Sequence, residues 1–174
     1  MSNTYDDELL AWRQMLDERL RAEDGWLTLI GLHWLPEGTS TIGSDPACTV
    51  VLPADAAPPL VATLIRNGDQ VFIKPAAGAE VRVNDGPIPD RPLFSDQEDE
   101  PDLVQIGRIA LLVLARGERL GVRLRDPQNP ARHHFSGRRW FPIDPRFRLQ
   151  ATFIAFDQPR TISYEDILGD RTRM

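Results

Sequence analysis

The 174-residue chain contains one cysteine, Cys48, one lysine, Lys74, and three histidines, His33, His133 and His134. A single cysteine excludes an intramolecular disulfide framework and any metal site built on clustered thiolates. The histidines show no His-x-x-x-His spacing, and the two adjacent ones point to opposite faces of an extended chain. No metal and no cofactor is therefore expected. Long apolar runs are missing too. The longest, Ile109 to Ala115, has seven residues, against about 20 for a membrane-spanning helix. The first residues, Met1 to Asp7, carry neither the basic nor the apolar region of a secretory leader. A soluble cytoplasmic protein with no membrane partner is the expectation. Neither a Gly-rich phosphate loop nor a Gly-x-Ser-x-Gly elbow occurs, so nucleotide chemistry and an elbow-mounted serine nucleophile have no support. Cys48 reads as an inert thiol in an apolar strand.

Charge is present but unevenly placed. The formal net charge is −6. Residues 1–102 hold 7 basic and 19 acidic residues, whereas residues 103–174 hold 13 basic and 7 acidic. The simplest expectation is that the two halves pack together and neutralise each other. An overall acidic chain lacks the long-range attraction to phosphate that drives nucleic-acid binding, so no nucleic-acid partner is expected. Of the 20 basic residues 19 are arginine, a bias that codon usage in a GC-rich genome explains.

Thr4 to Arg21 reads as one amphipathic helix. Thr4 and Asp7 fit a capping box, acids crowd the first turn, and Asp24-Gly25 ends it. Leu9, Trp12, Leu16 and Leu20 form one stripe, expected to pack into the core. From Trp26 onward the apolar period becomes two, with turn signals every eight to twelve residues. Strands are predicted at 27–32, 39–43, 48–52, 60–66, 69–74, 80–84, 103–115, 119–125 and 147–156. Asn67-Gly68 marks a tight hairpin and Asn84-Asp85-Gly86 another turn. The predicted fold is mainly β, a β-sandwich with one N-terminal α-helix, organised as helix 1–25 and sandwich domain 26–174. Within that domain the segment 87–102 has four prolines and the acids Asp96, Glu98, Asp99, Glu100 and Asp102. It reads as an exposed, solvated loop and the best place for an internal boundary, with no calcium-loop motif.

Two family resemblances follow from residue blocks. Trp26-Leu-Thr-Leu-Ile-Gly-Leu-His-Trp-Leu-Pro-Glu-Gly, Ile42-Gly-Ser-Asp-Pro and Val51-Leu-Pro resemble the bacterial domain of unknown function 1684 family. Arg116-Gly-Glu-Arg-Leu-Gly-Val-Arg-Leu-Arg-Asp-Pro and Phe135-Ser-Gly-Arg-Arg-Trp-Phe-Pro-Ile-Asp-Pro fit the same family. That resemblance implies a second β-rich half beyond Leu168-Gly169-Asp170, which this sequence does not include, so no activity of that half carries over. Residues 40–88 follow the strand rhythm of a forkhead-associated sandwich, through Ile42-Gly43, Cys48 to Leu52, Asn67-Gly68 and Val83 to Ile88. The resemblance implies a sandwich of the forkhead-associated/SMAD type. Ser44 stands where that family places its phosphate-binding arginine, and residues 58–63 lack its Ser-x-x-His element. Phosphate recognition needs charge-assisted donors, so phosphothreonine binding is not expected.

One feature has chemical direction. If Gly117-Glu118 turn a hairpin, Leu111 faces Leu124 and Val113 faces Val122 on one side, and Arg116, Arg119, Arg123 and Arg125 share the other. The Arg-rich region 116–148 continues with Arg132, Arg138, Arg139, Arg146 and Arg148, beside His134, Trp140 and Phe141. Like charges along one strand face repel and call for anions nearby: the chain's own acidic loop, a partner subunit or an anionic ligand. The expected function is a non-catalytic binding module with an Arg-lined face for an anionic small molecule or an acidic protein surface. The expected contact residues are Arg116, Arg119, Arg123, Arg125, Arg132, His134, Arg139 and Trp140, with no catalytic residue. One alternative is a small hydrolase using His134 and Asp126, with arginines of the region 116–148 orienting an anionic substrate; the closeness of Ser136 to His134 is the kind that arises by chance. Another is a structural remnant that dimerises through an apolar patch.

Overall fold

The computed structural model describes residues 4–158, 161–165 and 171–173. The chain divides into two units, Met1–Arg139 and Trp140–Met174. The first begins with helix α1 (Thr4–Arg21) and a 3-10 turn at Trp26–Thr28. Nine strands follow: β1 (Leu29–Trp34), β2 (Gly38–Gly43), β3 (Val50–Val51), β4 (Ala62–Asn67), β5 (Gln70–Pro75), β6 (Arg82–Val83), β7 (Leu103–Ile106), β8 (Ile109–Arg116) and β9 (Arg119–Arg125). They make two sheets, ordered β3-β2-β4-β5 and β1-β9-β8-β7-β6. Inward side chains of both sheets, among them Ile42, Leu64, Val71, Val104, Leu111, Val122 and Leu124, form one buried cluster. A mainly β sandwich with one long N-terminal helix is the result, as the alternating pattern predicts.

Register confirms the hairpin. Leu111 pairs with Leu124 and Val113 with Val122, while Arg116 sits directly opposite Arg119. Other boundaries differ for local reasons. The run predicted as one strand over 103–115 is two, because Gly107 takes φ +55° and reverses the chain between Ile106 and Ile109. Only glycine adopts that conformation without strain. The 48–52 and 80–84 strands shrink to β3 and β6. Cys48 therefore lies in the turn before β3, half-buried, with its thiol 3.4 Å from the Pro59 carbonyl.

The α1 stripe does not enter the core. No α1 residue is buried, and Trp12 is exposed. The two sheets close the core against each other, leaving the helix to contact the Trp26–Thr28 turn and helix α2 (Pro130–His134). That short helix occupies a stretch with no predicted element. Asn129 caps it by accepting from the Ala131 N–H, and Pro130 occupies the first turn, where its missing N–H costs nothing.

The acidic, proline-rich loop is likewise not wholly exposed. Leu93 is in the core and its N–H bonds the Val71 carbonyl. Asp102 is only 1% exposed, because Arg91, Asn84 and the Phe94 N–H all donate to its carboxylate.

In the second unit a 3-10 turn at Pro145–Phe147 precedes a segment without strand pairing, and β10 (Ser163–Glu165) pairs antiparallel with β11 (Arg171–Arg173). The strand predicted at 147–156 is absent. Its residues alternate correctly, but no strand pairs with it among the described residues, and alternation without a ladder does not hold a strand.

Candidate functional site: the outer face of the five-stranded sheet

Register assigns every residue of this face. One row across the sheet reads Leu29, Arg125, Ala110, Gln105, Arg82. The next reads Leu32, Arg123, Leu112, Leu103. Then come Trp34, Gly121 and Leu114, and finally Arg119 beside Arg116. The four hairpin arginines do share a face, and β1 brings Leu32 and Trp34 onto it. Sequence reasoning missed those two because it did not place β1 beside β9. Their alternation, with Leu32 and Trp34 two apart, was the available signal.

The four arginines have different surroundings. Arg116 forms a two-pronged pair with Asp96, at 3.0 and 2.7 Å. Burial pushes the Asp96 carboxyl up, yet hydrogen bonds from Arg116 and the Ala115 N–H, with the Arg116 charge, hold it below the ordinary range. The acidic loop thus neutralises one end of the stripe. Arg119 lies with its guanidinium carbon 4.0 Å from the Trp34 ring centre, a cation–π contact. The half-buried Arg123 and Arg125 have no hydrogen-bond or ion-pair partner among the described residues. Leu32 stands beside Arg123, half exposed.

The remaining expected site residues sit elsewhere. Arg132 donates to the Arg21 carbonyl at 2.6 Å and to the Pro127 carbonyl at 2.9 Å, tying the end of α1 to α2. His134 is exposed at the end of α2. Arg139 is exposed at the last position of the first unit, and Trp140 opens the second. Arg132, His134 and Arg139 all lie after β9, outside the hairpin whose register defines the face.

Asp126, the acid partner of the hydrolase alternative, is 4% exposed and accepts from Arg108 Nε at 2.9 and 3.1 Å and from the Gln128 N–H. Burial pushes its carboxyl up, but Arg108 and the Gln128 N–H outweigh that and hold it low. Arg108 also reaches Asp55 at 2.9 Å. A carboxylate so fully engaged is a structural anion rather than a free base. Among the described residues no group of three His, Cys, Asp or Glu is placed to hold a metal, and no helix is long and apolar enough to cross a membrane. The Ser44–Thr49 turn and the loop to Val61 contribute no cationic side chain.

No family model matches the chain, and no curated protein matches it. Among solved structures it is similar to a forkhead-associated domain studied for phosphothreonine-dependent FHA domain interactions. That similarity has 15% identity and a TM-score of 0.38, over 54% of this chain and 92% of the other.

Proposed function

We propose that this face, centred on Arg123 and Arg125, is a non-catalytic binding surface for an anionic small molecule or an acidic protein surface. The observation that carries the reading is the contrast within one stripe. Arg116 has its carboxylate and Arg119 its indole, whereas two guanidinium groups at alternate positions of β9 have neither. Guanidinium groups side by side on a strand repel each other, and an anion that bridges them relieves the repulsion while gaining charge-assisted hydrogen bonds. Leu32 and Leu112, which flank Arg123 in its own row, favour a ligand that also presents apolar surface. The residue blocks that resemble the domain of unknown function 1684 family include β9 itself, and membership of that family belongs to the same proposal.

The test is titration of wild type and an Arg123→Ala, Arg125→Ala double variant with inorganic pyrophosphate and with an acidic, leucine-containing peptide. At least one probe is expected to bind in a salt-dependent manner, and the double variant to bind it at least tenfold more weakly. Equal binding by the variant, or no binding of either probe, overturns the proposal.

A further inference from the structure

Beside Arg125 the same face dips into a cavity of about 280 Å³. Leu103 and Ala110 give it apolar lining, and Gln105 on β7 and Arg125 on β9 flank Ala110 of the intervening β8. Glu23 and Asp24, in the turn that ends α1, line the same cavity. Arg108 also lines it, but its guanidinium is committed to Asp126 and Asp55. Arg125, Glu23 and Asp24 line one cavity without an ion pair joining them, since no carboxylate comes within 4.0 Å of Arg125 among the described residues. A cation, two anions and apolar side chains lining one cavity, with no ion pair joining the charges, are matched by a ligand carrying both charges.

We propose that this cavity binds a small zwitterion: a free α-amino acid with an aliphatic side chain. Arg125 takes the carboxylate, Glu23 and Asp24 take the ammonium, Gln105 supplies a neutral hydrogen bond, and the side chain lies on Leu103 and Ala110. The volume falls just below the roughly 300–1,000 Å³ of pockets that enclose drug-sized ligands, which suits a ligand of this size. The inference rests on the anion-binding reading for Arg125 alone and adds the carboxylates that a purely anionic ligand would avoid.

The test compares three probes by backbone-amide NMR on the full chain. L-Leucine carries both charges, 4-methylpentanoate lacks the ammonium, and 3-methylbutylamine lacks the carboxylate. Leucine is expected to shift the amides of Leu103, Gln105 and Ala110 and to bind at least tenfold more tightly than either fragment. Arg125→Ala should lower leucine affinity to that of the amine, and Glu23→Gln with Asp24→Asn to that of the acid. If 4-methylpentanoate binds as tightly as leucine, the zwitterion inference fails and the anion-binding face stands. If no probe moves these amides while pyrophosphate still binds in an Arg123-dependent manner, the cavity is no ligand site and only the inference falls. If pyrophosphate, the acidic peptide and leucine all leave the Arg123 and Arg125 amides unmoved, both readings fall together.

Discussion

Asp102 ends an acidic run, yet it is nearly sealed from water, 2.6 Å from Arg91 Nη1 and 2.8 Å from both the Asn84 amide and the Phe94 N–H. Burial pushes its carboxyl up. The Arg91 hydrogen bond, the Phe94 N–H, the Arg91 charge and the Asn84 amide together bring it below its ordinary value. A folded-state value below the unfolded one (about 3.9) means the unfolded chain binds the proton more readily. Its contribution to stability is complete above the unfolded value and is lost as pH falls through the folded one. Asp96 and Asp126 carry the same sign, so stability should decline steeply below pH 4. Asp102→Ala removes the acceptor of the Phe94 N–H and of the Asn84 amide. Arg91 is 39% exposed and regains water, which places the cost near about 2–3 kcal/mol rather than that of a fully buried broken pair. Urea midpoints taken from pH 3 to pH 7 check this: the variant should show a lower midpoint at pH 7 and a shallower acid limb. An unchanged acid limb would remove Asp102 from the account. Sequence reading placed this residue in solvent because its partners lie 11 and 18 positions away in other turns. The facing of Leu111 on Leu124 was legible because strand parity and a two-residue turn determine it.

At the scale of elements, what was local was legible and what required a neighbour was not. The β8–β9 hairpin and the arginine face follow from turn residues and a period of two. The division at Gly107 was overlooked because the apolar residues Ile106 and Ile109 stand on either side of the Gly107-Arg108 pair, so the run looks continuous. The placement of β1 is a non-local matter, and Gly121 bears on it directly. A Cβ at Gly121 would lie 2.8 Å from Trp34 Cε3 and 2.9 Å from the His33 carbonyl oxygen. Both atoms belong to β1, so the close approach of β1 and β9, and the Trp34 ring that supports Arg119, depend on the missing side chain. Gly121→Ala is expected to cost about 1–3 kcal/mol in overpacking. It should also shift the Trp34 indole resonance and weaken the β1 pairing seen by amide exchange. Arg119→Ala removes the cation–π contact without crowding, and should cost at most about 1 kcal/mol. Wild-type stability for Gly121→Ala would show that β1 does not pack against β9 at this position.

Across the whole molecule, the acidic and basic stretches of the chain do meet: Arg108 pairs with Asp55, Arg116 with Asp96 and Arg138 with Asp17. The pairing leaves Arg123 and Arg125 over, and that remainder is what makes the outer face a candidate site. The hydrophobic cluster of the first unit draws on residues from Ile30 to Leu124 and, among the described residues, on none beyond. In the second unit Phe147, Leu149, Phe153 and Ile154 are each at least 80% exposed. A strand-patterned apolar run without a ladder is prone to pair with another copy of itself. Two consequences follow from the division at Arg139. A chain ending there loses no core residue, so its unfolding free energy in urea should match that of the full chain to within about 0.5 kcal/mol. The full chain should self-associate with rising concentration in light scattering, while the shortened chain and a Phe153→Asp variant remain monomeric. Loss of cooperative unfolding on truncation would mean that the second unit supports the sandwich. A full chain that stays monomeric at high concentration would mean that the exposed run has no appetite for its own copy.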